Sequence, residues 1–534
     1  MKIFNTRYTY LWVFLFAFVL CLFGIGDSII YILDEAKNSE AAREMMVYGT
    51  YFKPTFNDVV RTDKPPFHYF LMIIGYKIFG VNAFGARFFS AVFGALTVLS
   101  TFVFTKKHLG KEISKITFWI LLSSFYFIQE FHLAVPDPYL IFWVSLVFFC
   151  YIDFYISQDK KILWLLYIAV GFGMLTKGPV ALVLPSLVAF VHLLLNKNFT
   201  LKVILKYKFL EGILLALLIS FPWFYMAHET TNGVFTEGFF FKHNLNRFQG
   251  KMEGHGGIFL ITIGFVLLGM FPFSFWSFRA LFESMKQKKE NVFIFYSGLV
   301  VLIFVAFFAI SSTKLPNYTM PCYPFIAILL AWYFKKKYRR NSKKGELKLK
   351  YAEWIVLLMI SLALPVAGFV GLSLEPQLVG KTWVAFLLIF VPVGVGVSFY
   401  YYIKLHLKIS FKLLIGTFML LGLVLFGIAF PVLTKATPVE KFKEMVSMDR
   451  PVVVYKRMDA AFPINFNRTY KVVQSITEVS IFLEKYPSGV VMTNTRNKEE
   501  LKELSVFKEV FSQKSLFENH TTRVYEKGIN SIPE

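Results

Sequence analysis

A chain of 534 residues that is 56% hydrophobic, 19% aromatic and only 17% charged is too apolar for a water-soluble protein. Apolar runs of membrane-spanning length recur from Tyr8 to about Pro431, which excludes a disordered scaffold, a disulfide framework, a coiled coil and a cytosolic enzyme. The formal charge of +23 is not a nucleic-acid footprint: from Pro438 onward 15 Lys and Arg nearly balance 13 Asp and Glu, so the excess sits in the membrane part, where basic loops set topology.

The apolar runs are continuous rather than alternating (LWVFLFAFVLCLFG, LIFWVSLVFFCYI), which predicts helices and not a transmembrane barrel. Thirteen spans are expected, near 9–31, 84–104, 116–134, 138–156, 162–176, 178–195, 207–228, 257–278, 292–311, 317–334, 353–374, 383–403 and 411–431. Lys2 and Arg7 precede the first run, which lacks a small-residue cleavage site and is expected to stay attached. With a cytoplasmic N-terminus, every strongly basic loop falls on one side, including Lys106, Lys107, Lys111 and Lys115, and the block KKKYRRNSKKGELKLK at 335–350. An odd span count and an extracytoplasmic C-terminus follow from that phase agreement. Cys21, Cys150 and Cys322 lie in apolar segments, so no disulfide is proposed and no zinc-ligand spacing is present.

The opposite side carries two long connections, 32–83 and 229–256, and several short ones. Unusual ionisable residues gather there. Asp34 and Glu35 stand where the first apolar run ends, and Asp27, seven residues earlier, is expected to face inward as a structural group. Lys64 follows Asp63 and directly precedes Pro65 and Pro66, which hold its backbone extended, so its ammonium is rigidly presented and suits a phosphate. Asp137 sits between prolines in AVPDPYL, Lys177 in TKGP and Lys314 in STKLPNY. His243 and Arg247 are four apart, on one face if that stretch is helical, and His255 lies in the glycine-rich EGHGG. Each has a plain alternative: a helix cap for Asp137, an interfacial anchor for the lysines, a turn residue for His255. Ionisable groups at bilayer depth cost about 3 kcal/mol each, so seven separate stretches of sequence contributing them to one face predict a single charged cavity.

After Pro431 the pattern becomes that of a small soluble unit. VEKFKEMVS reads as a helix, PVVVY and YKVVQ as strands, TEVSIFLEKY as an amphipathic helix, GVVMT as a strand and TTRVYEKG as an edge. The expected fold class is therefore membrane all-α with a small C-terminal α/β domain. The division expected is a transmembrane domain over 1–434 and a soluble domain over 435–534.

The motifs DEA, AREM, KPP and AR across 34–87, VPDP at 135–138, LTKGP at 175–179, PW at 222–223, H…RF at 243–248, GHGG at 254–257 and KLPNYTMPCYP at 314–324 together resemble the bacterial relatives of protein O-mannosyltransferases. The likeness is strongest to the aminoarabinose-transferase type that modifies lipid A, and it covers roughly residues 8–335. The resemblance implies a C-type glycosyltransferase fold in a bacterial inner membrane, a polyprenyl-phosphate (undecaprenyl-phosphate) sugar donor and an extracytoplasmic active site. It also implies roles. Asp34 matches the acidic residue that activates the acceptor, Asp137 a second acidic position, Lys64 and Arg247 the cations at the lipid phosphate, and Tyr318 a tyrosine near the same group. This chain has Asp63 where the aminoarabinose enzymes have Glu, which leaves the sugar open.

Transfer from a lipid-linked sugar needs cations for the departing phosphate and a base for the acceptor, with inversion at the anomeric carbon expected. No soluble nucleotide is required, and scattered carboxylates offer no dedicated metal cage, so a divalent ion is not demanded and its involvement stays open. The acceptor expected is a glycolipid such as lipid A, with a glycan or protein hydroxyl as alternatives. A lipid-linked sugar transporter is the competing class; it places its ionisable groups near the bilayer midplane with access from both sides. An outer-face binding protein is the third, and it has no need of catalytic carboxylates.

Overall fold

The structure is a computed structural model and describes residues 7–245, 257–344, 351–445 and 450–528. Each of the thirteen apolar segments contains helix. Among the described residues, seven helices are long and apolar enough to cross a membrane, or eight if the pair Phe259–Gly269 and Phe273–Met285, bent by 118°, is one broken span.

The first segment departs from expectation. Helix α1 covers only Thr9–Leu22. The chain then turns at Gly24, whose φ of +76° favours glycine and whose missing Cβ would meet the Phe426 carbonyl oxygen at 2.6 Å. Asp27 therefore lies in the turn, exposed, and not on an inward helix face as expected.

The connection 32–83 is ordered. Helix α2 (Leu33–Tyr48) ends at Gly49 in the left-handed region, and it buries Glu35, Glu40, Arg43 and Glu44. Such burial is tolerable because each charge is met. Glu40 takes a fork from Arg43 at 2.8 and 2.6 Å, and Glu44 accepts from the backbone N–H groups of Asn57 and Asp58. Glu44 thus fastens a small hairpin, β1 (Thr55–Phe56) and β2 (Val59–Val60), against α2. Pro65 and Pro66 precede helix α3 (Phe67–Phe79). Helix α4 (Ala83–Leu109) starts at Asn82, whose side chain caps the Gly85 N–H. The two helices touch where a Cβ on Gly75 would fall 2.1 Å from the Gly85 carbonyl oxygen, so only glycine permits this crossing.

Helices α5 (Lys111–Ser123), α6 (Phe125–Glu130), α7 (Asp137–Ser157), α8 (Lys161–Lys177) and α9 (Val180–Leu195) continue the bundle. The core sits around α7, 78% of whose apolar window is buried, whereas the later helix Ala352–Ser373 has 17% buried and faces mostly outward.

The C-terminal part holds a five-stranded sheet in the order β4-β3-β5-β7-β6, formed by β3 (Val452–Tyr455), β4 (Lys471–Val473), β5 (Val490–Thr493), β6 (Lys508–Lys514) and β7 (Thr521–Glu526). Strands β3, β4 and β5 are parallel; β7 runs antiparallel to β5 and β6. One expectation is corrected. TTRVYEKG forms β7, an interior strand, and the edge is β6, whose KEVFSQK mixes charge with few apolar residues and gives little strand signal. One sheet face carries Val479 and Leu483 of the helix Ile476–Lys485. The other merges with α2 and α3 through Phe462, Phe466, Ala41 and Tyr69. The Asn57 side chain seals the contact, donating to the Tyr470 carbonyl at 2.9 Å and accepting from its N–H at 2.7 Å.

Candidate active site

Asp34 and Glu35 are neighbours in the first turn of α2, about 100° apart around its axis, and they meet different fates. Glu35 is fully buried. Its carboxylate accepts from Arg87 at 2.7 and 2.9 Å and from the Ala134 N–H at 2.8 Å. Arg87 in turn donates to the carbonyls of Ile25 and Ser28. Glu35, expected as a site candidate, is thus spent on tying α2 to α4 and to the segment before α7. Asp34 takes no part in that pairing, and its side chain keeps 46% exposure.

The segment after the hairpin supplies the cations. Arg61, with 4% of its side chain exposed, reaches Asp34 at 3.4 Å, Asp63 at 2.8 Å and Asn38 at 3.0 Å, all from Nη2. Lys64 is buried, and no carboxylate among the described residues lies within 4 Å of its ammonium. An unpaired buried cation is costly unless a ligand supplies the anion. Asp137, the first residue of α7, accepts from Lys177 at the end of α8 at 2.6 Å. Lys177 also stands over the Tyr318 ring, 5.3 Å from its centroid, and that ring packs on Phe308. Lys314 is buried and donates to the Ser311 carbonyl at 2.6 Å, pinning its own loop.

Electrostatics join these groups into one site. Burial acts to raise the Asp34 carboxyl, but the fields of Lys64, Arg61 and Lys177 win and hold it at about 2. Burial pulls the Lys64 ammonium below its ordinary value, and Lys177 adds to this, against the attraction of Asp34 and Asp137. The structure therefore brings Asp34, Asp63, Lys64, Asp137, Lys177 and Tyr318 to one end of the bundle. His243 lies in the wide helical turn Gly238–Leu245 with its side chain outside the described residues, as are Arg247 and His255 entirely.

Next to this cluster, an apolar cavity of about 300 Å³ opens between the start of α9 and the helix Phe209–Thr230. Met174, Gly178, Pro179, Leu217, Phe221 and Phe224 line it, so its inner end is one residue from Lys177.

Comparison with known proteins matches this architecture. Residues 63–226 match the family described as dolichyl-phosphate-mannose-protein mannosyltransferase. An uncharacterised protein of Aquifex aeolicus is 31% identical over 350 residues, 65% of this chain and 67% of that one. The chain belongs to the glycosyltransferase superfamily that joins the protein O-mannosyltransferases and the aminoarabinose transferases. Among its curated members, the undecaprenyl phosphate-alpha-4-amino-4-deoxy-L-arabinose arabinosyl transferase 2 of Pseudomonas fluorescens is 29% identical over 329 residues, 60% of this chain and 57% of that protein. The match thus spans little more than half the length of that relative. ArnT from Cupriavidus metallidurans, crystallised bound to undecaprenyl phosphate, superposes with a TM-score of 0.78 at 18% identity, covering 99% of this chain and 100% of that one. The shared fold includes the C-terminal sheet.

Membership in this glycosyltransferase superfamily leaves three residues that the motif reading passed over. Arg61 stands two residues before Asp63 in a long connection, and nothing in the sequence separates it from a surface arginine. Asn38 is one helical turn beyond Asp34, a legible i, i+4 pair. Glu130 was visible as an ionisable residue inside an apolar run. It is buried, with Oε1 unpartnered, and it feels the charges of Asp137 and Lys177.

Proposed function

We propose that the protein moves a sugar from a polyprenyl-phosphate donor to an acceptor at the extracytoplasmic face of a bacterial inner membrane, with inversion at the anomeric carbon. Lipid A or another glycolipid is the favoured acceptor. The single observation that carries this reading is Lys64, a buried cation without an ion-pair partner among the described residues, beside the half-exposed Asp34 carboxylate.

In the proposed reaction the donor phosphate sits at Lys64, with Arg247 and Tyr318 as further contacts, and the prenyl chain runs along the apolar cavity beside Lys177. The acceptor oxygen or nitrogen forms a bond to the anomeric carbon and gives its proton to Asp34. The bond from that carbon to the phosphate oxygen breaks, and its electron pair leaves with the polyprenyl phosphate. The leaving group gains one negative charge, which Lys64 meets in a site largely cleared of water. Asp34 is a weak base while three cations act on it. The donor phosphate offsets Lys64, so donor binding strengthens the base. Asp137, held by Lys177, orients the acceptor or sugar. Thirteen spans, with the N-terminus cytoplasmic and the residues from 435 onward forming an extracytoplasmic domain, complete the proposed topology.

The test is Asp34→Asn. Binding of a polyprenyl-phosphate analogue is expected to persist while sugar transfer falls by about 10²- to 10⁴-fold, the range for losing a general base. Unchanged transfer would remove the assignment. Mass spectrometry of envelope lipids and glycoproteins from cells with and without the protein identifies the acceptor.

A further inference from the structure

The buried side of Asp34 is as organised as its open side. Behind the carboxylate lies a polar knot in which Asn38 Oδ1 accepts from Arg61 Nη2 at 3.0 Å and lies 3.3 Å from His68 Nε2. Arg61 Nη2 also faces Asp34 at 3.4 Å and Asp63 at 2.8 Å, so one guanidinium nitrogen gathers two carboxylates and an amide. The hairpin that carries Arg61 is itself held on both sides. Glu44 grips it from below through the Asn57 and Asp58 N–H groups, and Tyr470 of the C-terminal sheet pairs with the Asn57 side chain from above.

We propose that Arg61 is a positioning residue for the transfer reaction: anchored on Asn38, it steers the Asp34 carboxylate and adds to the field that keeps it charged, without touching substrate itself. The proposal rests on the reading of Asp34 as the base. Three observations carry it. Arg61 has 4% of its side chain exposed while Asp34 has 46%, so the guanidinium stands on the buried side of the carboxylate. The Asp34 contact is the longest of the three made by Nη2, so the carboxylate is steered without being locked into a tight pair. Finally, the hairpin clamp reaches the guanidinium's segment from the C-terminal part through Tyr470, which gives that part a share in the geometry of the site.

The other charges that face Asp34 must be counted. Lys64 and Asp63 come from the segment before α3, His68 from α3, Lys177 from α8, Asp137 from α7 and Glu130 from α6. Arg61 is the member of this set that reaches Asp34 from behind with a hydrogen-bonding geometry. Its field adds to those of Lys64 and Lys177 in depressing the carboxyl. Removing the positive charge shifts the carboxyl upward, while Lys64 and Lys177 still depress it.

The experiment compares Arg61→Lys and Arg61→Met with the full-length wild type and with Asp34→Asn, in detergent or nanodiscs, measuring transfer at pH 5 and 7.5 and thermal unfolding. Arg61→Lys keeps the charge and loses the planar guanidinium whose Nη2 gathers Asp34, Asp63 and Asn38, so kcat is expected to fall on the order of 10- to 100-fold with the donor KM and the pH ratio unchanged. Arg61→Met loses both, so kcat falls further than in Arg61→Lys, and the pH 5 to pH 7.5 ratio holds because Lys64 and Lys177 still depress the carboxyl. If Arg61→Met does not fold, Arg61→Lys carries the test through kcat against KM. Wild-type kcat in Arg61→Lys, a rise in donor KM in place of a fall in kcat, or a change in unfolding temperature alone would overturn the proposal. If Asp34→Asn turns over normally, the base assignment has failed instead. If Asp34→Asn is inert and Arg61→Lys is normal, only the positioning role has failed.

Discussion

Helix α7 carries a buried aspartate near each end, and the two ends differ in how charge is closed. Sixteen residues, about 24 Å, separate Asp137 from Asp153. At the far end Asp153 accepts from Lys107 at 2.8 Å and pairs with His108 at 2.8 Å, and the His108 ring stacks on Phe293. Every charge there has its partner. At the near end Asp137 pairs with Lys177, but Lys64 stands buried beside them without a carboxylate within pairing distance among the described residues, and the Asp34 side chain is half-exposed. The same residue types serve as a staple where they are saturated and form a site where they are not. Glu35 and Arg87 repeat the lesson within one helix turn of Asp34.

That contrast can be broken by substitution, because saturated pairs trade in stability and unsaturated groups in ligand binding. The largest effect is expected at Glu35→Ala, which leaves Arg87 buried and unpaired and costs about 3–5 kcal/mol of stability. Donor affinity per folded molecule should not change, as thermal unfolding and binding measured on the same sample would show. Lys64→Met is the mirror case: binding of a polyprenyl-phosphate analogue weakens by about 1.5–3 kcal/mol, roughly 10- to 100-fold, while the unfolding temperature holds or rises. A fall in stability with unchanged affinity would reverse the assignment of Lys64. Asp153→Asn should cost about 1–2 kcal/mol of stability and leave transfer untouched, the half-exposed Lys107 limiting the loss. The smallest effect, about 1 kcal/mol, is expected at Asn57→Ala, and protease sensitivity of the C-terminal sheet reads it.

Much of this was legible in the sequence. Continuous apolar runs marked the helices, and the prolines after Lys64 and on both sides of Asp137 marked rigid presentation. What stayed hidden is pairing. Asp34 and Glu35 are indistinguishable as letters, and only the crossing of α2 with α4 shows that one carboxylate is consumed by Arg87, 52 residues away. Arg61 was unreadable for the same reason, since its partners are set by a hairpin of four strand residues. Strand β6 escaped because its two apolar residues, Val510 and Phe511, are adjacent and give no alternation. The end of α1 was missed because a glycine turn within an apolar run leaves hydropathy unchanged.

The central claim is that Lys64 awaits the donor phosphate beside the half-exposed Asp34 carboxylate. A cryo-electron microscopy structure of the full-length protein with undecaprenyl phosphate tests it most directly. The account places the phosphate within ion-pair distance of the Lys64 ammonium, with Asp34 facing the same site. A phosphate bound away from Lys64, with Asp34 turned from it, would contradict the account.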